Sequence, residues 1–321
     1  MKRYLKLLIS ASLLVIVAAA AAFVVLRYVV HPPKAARLLP EGDTLIYASL
    51  RPLHLFDSQK SADLQLDQQY KDFIQQTGIQ IERDLDEVAM SRQDTADGRD
   101  VESSEVFVGH FDRDKVTSYF QKIAKDTEKY LDKTIISFPN DGHTIRLCIL
   151  SNNMIAVTNM SSSGPMHRIV DRLASSGGPS LLEAHYSQVP TGSVAWMISR
   201  IPAKNGLELP GGMSFSFHQD AVAVASLRYA GLLLLRADFL TQSEDEARQV
   251  ADSARTFLAI SRSVGQSMGP RGGDKDVKAA FDSIQIEQSG STTTISATIP
   301  QNVVKKMASG IDLAGNTPSG K

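Results

Sequence analysis

The longest uninterrupted apolar stretch runs from Leu7 to Leu26, without a charge and interrupted in polarity only by Ser10 and Ser12. Twenty helical residues reach about 30 Å, the thickness of a bilayer's hydrocarbon core. Apolar character resumes after Arg27 at Val29 and Val30, Tyr28 suits the headgroup level, and Pro32-Pro33 stops a helix. The pattern predicts a cytoplasmic tip and transmembrane anchor over residues 1–30, with residues 7–30 meeting the lipid bilayer. A cleaved signal peptide is the rival, because Lys2, Arg3 and Lys6 form a basic n-region and Ala18–Ala22 offer small residues for cleavage. Phe23-Val24-Val25-Leu26 prolongs the apolar run past those alanines, which favours an anchor. Basic residues flank both ends almost equally, so charge leans only slightly toward a cytoplasmic N-terminus.

Beyond the anchor the periodicity alternates between two and about 3.6 residues. Residues 31–39, with Pro32, Pro33 and Pro40, read as an extended tether. Strands are predicted over Thr44–Leu50, Val106–His110, Thr134–Phe138, Thr144–Leu150 and Met154–Thr158. Helices are predicted over Asp63–Thr77, with Leu66, Tyr70, Phe73 and Ile74 on one face, and after Asp112, with Val116, Tyr119, Phe120 and Ile123 inward. Ile81, Leu85 and Val88 make a shorter helical stripe, and Arg92–Ser104 reads as a polar surface loop. Pro165 suits the first turn of a helix ending at Gly177.

The second half repeats the style. Val194–Ser199, Met213–His218, Ala221–Arg228 and Leu232–Phe239 read as strands. Ser243 and Glu246 form a capping box for a long helix that buries Ala247, Val250, Ala254, Phe257, Leu258 and Ser261 and ends at Gly265. Ile284–Gln288 and Thr292–Ile299 form a hairpin over Ser289-Gly290, Gln301–Ala308 a last helix, and residues 309–321 a disordered tail. Leu45-Ile46-Tyr47-Ala48-Ser49-Leu50-Arg51-Pro52 is similar to Val194-Ala195-Trp196-Met197-Ile198-Ser199-Arg200-Ile201-Pro202. The expected fold is therefore α+β: an N-terminal transmembrane helix, then a two-lobed, duplicated body with mostly antiparallel sheets, its lobes at 40–178 and 179–308.

Pro40-Glu41-Gly42-Asp43-Thr44-Leu45-Ile46-Tyr47-Ala48-Ser49-Leu50, standing directly after an anchor, resembles the opening of a large family of uncharacterised bacterial envelope proteins. Asp84-Leu85-Asp86-Glu87-Val88 and Val106-Phe107-Val108-Gly109-His110-Phe111-Asp112 resemble the family's later steps. The family is a domain of unknown function. The resemblance implies a setting at the inner (plasma) membrane with the body outside the cytoplasm, and it implies no activity.

Composition narrows the partners. The chain holds 34 basic and 35 acidic residues, and six of the basic ones lie within residues 1–37 with no acid beside them. The remaining body is acidic, which argues against a nucleic-acid partner. The single cysteine, Cys148, excludes an intrachain disulfide and any multi-thiolate metal site, and it reads as an inert thiol.

Local motifs for chemistry are weak. Gly265-Gln266-Ser267-Met268-Gly269 matches the hydrolase nucleophile elbow, but a helix precedes it where the elbow needs a strand. The seven histidines (His31, His54, His110, His143, His167, His185 and His218) show no ligand spacing, and a site assembled from distant residues, such as His110 with His218, is left open by the sequence. Asp84, Asp86 and Glu87, like Asp112 and Asp114, suit helix ends facing water better than acid–base work. Gly272-Gly273 near Lys275 lacks the order of a phosphate loop. Arg51 and Arg200, at equivalent strand ends, raise the idea of a two-arginine anion clamp. The sequence thus assigns no catalytic, cofactor-binding or metal-ligating residue and no cofactor. It supports a non-catalytic extracytoplasmic binding or structural module, whose partner is another envelope protein or a wall or lipid component. The alternative is an envelope hydrolase with an inter-lobe active site.

Overall fold

A computed structural model describes residues 31–54, 68–94, 101–140, 142–203, 207–209, 213–267, 275–300 and 302. The two similar strands, β1 (Thr44–Ser49) and β8 (Ser193–Ile201), lie side by side and antiparallel. Tyr47 pairs with Trp196 across them, and their rings stack at 5.6 Å with 21° between planes. Thr44 and Ser199 close one end of the pair through a 2.7 Å hydroxyl hydrogen bond.

Each of these strands continues outward into its own half. On one side stand β2 (Leu85–Asp94), β3 (Val101–Gly109), β7 (Met154–Thr158), β6 (His143–Ser151), β5 (Lys133–Asn140) and β4 (Asp126–Tyr130). On the other stand β11 (Ala221–Tyr229), β12 (Leu233–Leu240), β14 (Thr292–Ile299) and β13 (Gln285–Ser289). The result is one twelve-stranded antiparallel sheet, with a separate small hairpin of β9 (Leu207–Leu209) and β10 (Met213–Phe215). In both halves the third strand of the large sheet, β3 or β12, leads into a helix, and the chain then returns so that its last strand, β7 or β14, pairs with it. The expected division near residue 179 therefore does not separate two sheets: β8 starts the second half and hydrogen-bonds directly to β1.

Helices are α1 (Lys34–Leu38), α2 (Arg51–His54), α3 (Gln68–Thr77), α4 (Ile81–Asp84), α5 (Arg113–Ile123), α6 (Gly164–Asp171), α7 (Ser180–His185), α8 (Glu244–Ser267) and α9 (Lys275–Asp282). Cross-strand partners share a face of a sheet, so the register sorts the core. One face carries Leu45, Tyr47, Ala89, Val106, Cys148, Trp196 and Ile198, covered by α1, α6 and α7. The opposite face carries two separate clusters. Phe215, Phe217 and Phe239 pack with Val250 and Ala254 of α8, while Leu147 and Ile155 pack with Val116 of α5 and Phe73 of α3.

Several expectations change. The tether is no tether: Ala35 and Ala36 are 0% exposed and Leu38 1%, because Pro33 opens a short helix whose small apolar face seals the sheet. Leu85 and Val88 belong to β2, where ladders on both sides impose a two-residue period that overrides the helical spacing. Much of the expected 92–104 loop is ladder, pairing Arg92 with Ser103 and Asp94 with Val101, because a hairpin can extend past the core with polar side chains. Ile123 is 46% exposed and does not point inward. The helix opened by Pro165 stops at Asp171 rather than at Gly177, and α8 runs through Gly265 to Ser267. Polar β4 and the helices α7 and α9 complete what the periodicity left out. Ser243 does cap α8, accepting from the Glu246 N–H at 3.2 Å, but the Glu246 carboxylate accepts instead from the His218 N–H at 2.7 Å.

The expected anchor over residues 1–30, the start of the helix at residues 63–67 and the tail at 309–321 lie outside the described residues, as does all of the last helix except residue 302. Among the described residues no helix is long and apolar enough to cross a membrane.

Trp196 is 3% exposed and touches both Tyr47 and Tyr186. Trp196→Ala should lower the unfolding free energy by about 3–5 kcal/mol, measured by urea denaturation followed by circular dichroism. A loss below about 1 kcal/mol would show that the ring pair does not hold the halves together.

Candidate ligand pocket

Where β1 ends and β8 begins, the face covered by α1 opens into a cavity of about 620 Å³. Val108, Met154 and Val189 give it apolar walls, and the rings of Tyr47 and Tyr186 line it as well. His31, Pro33 and Lys34 also line it, as does the 190–193 turn. Gly192 takes φ +79° in that turn, with nothing within 4 Å of a Cβ built there. A side chain would fit the space but strain the backbone.

One polar group in the cavity comes from each of three neighbouring elements. Tyr47 points from β1 toward Glu87 on β2. The chain then turns, with the Leu50 N–H donating to the Asp86 carbonyl at 2.7 Å, and places Arg51 at the start of α2. Neighbouring residues of a regular strand face opposite sides, but a register shift between Leu85 and Glu87 breaks that alternation. Both acids therefore reach the same guanidinium: Arg51 Nε is 3.6 Å from Asp86 Oδ1, and Arg51 Nη2 is 3.6 Å from Glu87 Oε1. These are ion-pair distances longer than a hydrogen bond, and the Arg51 side chain stays 62% exposed. His110 Nδ1 stands 4.0 Å from Asp86 Oδ2.

Burial, with the Glu87 carboxylate beside it, pushes the Tyr47 phenol well above the usual tyrosine range. Burial alone raises Tyr186. The Tyr47 hydroxyl donates to the Glu87 carboxylate. The Ser193 hydroxyl, also on the wall, donates to the Pro190 carbonyl at 2.6 Å. The cavity thus presents donors on Tyr47 and Arg51, an acceptor on Glu87, and an apolar wall.

The residues singled out in the sequence scatter. Arg51 and Arg200 cannot clamp one anion, because antiparallel pairing sends the two strand ends in opposite directions. His110 follows the end of β3 beside Asp86, whereas His218 precedes β11 at the far end of the sheet, so they share no site. Gly265-Gln266-Ser267 closes α8, and Met268 and Gly269 lie outside the described residues, as do Gly272 and Gly273. Asp112 caps α5, accepting from the Lys115 N–H at 3.1 Å, and Asp84 accepts from the Gln80 N–H at 2.8 Å. Both are structural. Among the described residues no three His, Cys, Asp or Glu side chains are grouped to hold a metal ion. Cys148 is fully buried, and burial pushes its thiol up to about 11. Sequence reasoning singles out Arg51 only for a clamp with Arg200 and reads Glu87 as a helix-end carboxylate, whereas Glu87 lies within β2, and it does not mark Tyr47 or Tyr186 as lining. The one available signal was that Tyr47 and Trp196 hold matching places in the similar strands.

A second ionisable group is out of the ordinary. Glu105 of β3 sits on the opposite face of the sheet, paired with Met90 and Val157. Burial raises its carboxyl, and the Ser103 hydroxyl at 3.4 Å only partly offsets this.

No protein-family model matches the chain, and no curated protein matches it in sequence. Crystal structures of TP0453 are similar at a distance. Its crystal form III is 13% identical with a TM-score of 0.45, covering 87% of this chain and 99% of that one. Crystal form IV is 14% identical with a TM-score of 0.42, covering 86% and 96%. Likeness at this level carries no conclusion about activity, and it does not bear on the envelope-family resemblance.

A glutamate whose folded pKa exceeds its unfolded value binds extra protons when folded, so its contribution to stability is lost as pH rises through that window. Glu105→Gln removes this penalty. The variant should unfold at higher urea than the parent at pH 7, and the difference should vanish near pH 4. A variant equally destabilised at both pH values would mean that the carboxylate is held by favourable contacts.

Proposed function

We propose that this chain is a non-catalytic binding module at the inner membrane, anchored through residues 7–30 with its body outside the cytoplasm. The body is a tandem duplication of one α+β unit, and the pocket between β1, β2 and α1 is where it takes its ligand. The observation that carries this reading is the convergence of Tyr47, Glu87 and Arg51 on one cavity with apolar and aromatic walls. Such a cavity is the usual form of a small-molecule site. The matched order of strands around β1 and β8 supports duplication, and the apolar run with the envelope-family resemblance supports the setting. The hydrolase alternative finds little support in this cavity, since its phenol is held protonated and its serine hydroxyl already serves a backbone carbonyl.

The chain has one tryptophan, and it lies against both pocket tyrosines. Its emission should therefore report occupancy. Full-length protein in detergent should show a saturable Trp196 response to a bacterial envelope lipid extract or to a muropeptide digest, with the responding compounds recovered at unchanged mass. Arg51→Ala should abolish the response. A folded protein that responds to neither mixture, or that releases cleaved products, would overturn the reading. Protease added to intact spheroplasts should digest the body, and complete protection would overturn the orientation.

A further inference from the structure

The pocket places opposite charges close together. Arg51 stands 3.6 Å from Glu87 and from Asp86, and Lys34 is a further lining residue. A ligand bearing a single sign of charge would meet its own sign within a few ångströms. Such an encounter between like charges is repulsive and weakens binding. A dipolar ligand avoids the cost, because its anionic part can face Arg51 and Lys34 while its cationic part faces Glu87. The faces of Tyr47 and Tyr186 also favour a cation. The remaining wall, with Val108 and Met154, suits hydrocarbon.

The place of the lining in the chain narrows the source, because His31, Pro33 and Lys34 directly follow the apolar run. Lys34 begins α1, whose Ala35 and Ala36 are locked into the core. From Val30 to Lys34 the backbone can reach at most about 14 Å. With residues 7–30 crossing the bilayer, this part of the lining stands close to the lipid headgroups. Resting on the ligand-site and anchor readings above, we infer that the pocket takes the headgroup of a zwitterionic phospholipid, phosphate toward Arg51 and Lys34 and ammonium toward Glu87.

The test uses full-length protein in detergent and reads Trp196 emission. The probes are short-chain phosphatidylethanolamine, short-chain phosphatidylglycerol, glycerophosphoethanolamine and inorganic phosphate. Phosphatidylethanolamine should give a saturable change, and the other three should bind at least about tenfold more weakly or not at all. Arg51→Ala and Glu87→Gln should each weaken the phosphatidylethanolamine response by about tenfold or more. Should Arg51→Ala fail to fold, Arg51→Lys keeps the charge and removes the planar fork, and it should still weaken binding. Equal responses to phosphatidylglycerol would show that the ammonium is not read and would overturn the inference. So would equal responses to inorganic phosphate, which would make the site one for a free anion, or to glycerophosphoethanolamine, which would make the source soluble. If muropeptides give an Arg51-dependent response and no lipid does, the binding-module reading stands and this inference falls. If nothing responds, both fall.

Discussion

The structure depends on the pairing of β1 with β8. Their antiparallel register sets Tyr47 on Trp196 and joins two runs of strands into one sheet. Neither half could bury its first strand otherwise: Leu45 and Ile198 are both fully buried, and each is the other's cross-strand partner. Stacked aromatic pairs add about 0.5–1.5 kcal/mol beyond their buried area, but the larger effect here is topological. With the seam closed, the helices can sort by face, α1, α6 and α7 over the centre and α5 and α8 over the flanks of the other side.

The pocket follows from that seam. One end of the pair is closed by the Thr44–Ser199 hydrogen bond. At the other end β1 stops at Ser49, the chain turns at Leu50, and β8 arrives from the 190–193 turn. The space between is too wide for the flanking side chains to fill, and the Tyr47 ring that stabilises the seam also lines it. A single residue thus both packs the seam and lines the cavity, and burial together with the Glu87 carboxylate raises its phenol.

Much of this was legible in the residues. Strong alternation marked β1, β6, β7 and β11, and the Ser289-Gly290 turn marked the last hairpin, Gly290 taking φ +54°. The helix caps at Asp112 and Ser243 were legible because capping chemistry is local. What failed was decided by long-range contact. Nothing in Lys34–Leu39 says that a proline-flanked segment will fill a gap over β2 and β3. Polar β4 carries no apolar period and exists because β5 offers an edge. The second half of the capping box was lost to a loop elsewhere in sequence, the one that carries His218. Arg51 stood out as a strand-end arginine, yet its partners were set by a register shift at Asp86 that no local spacing encodes.

If the β1–β8 seam makes the two halves one cooperative unit, native-state amide hydrogen exchange along a urea series should show it. Amides of β1 and β8 should exchange only through global unfolding, with the same free energy as β3 and β12, in a single transition. Two transitions, with the strands of one half opening while those of the other stay protected, would contradict it.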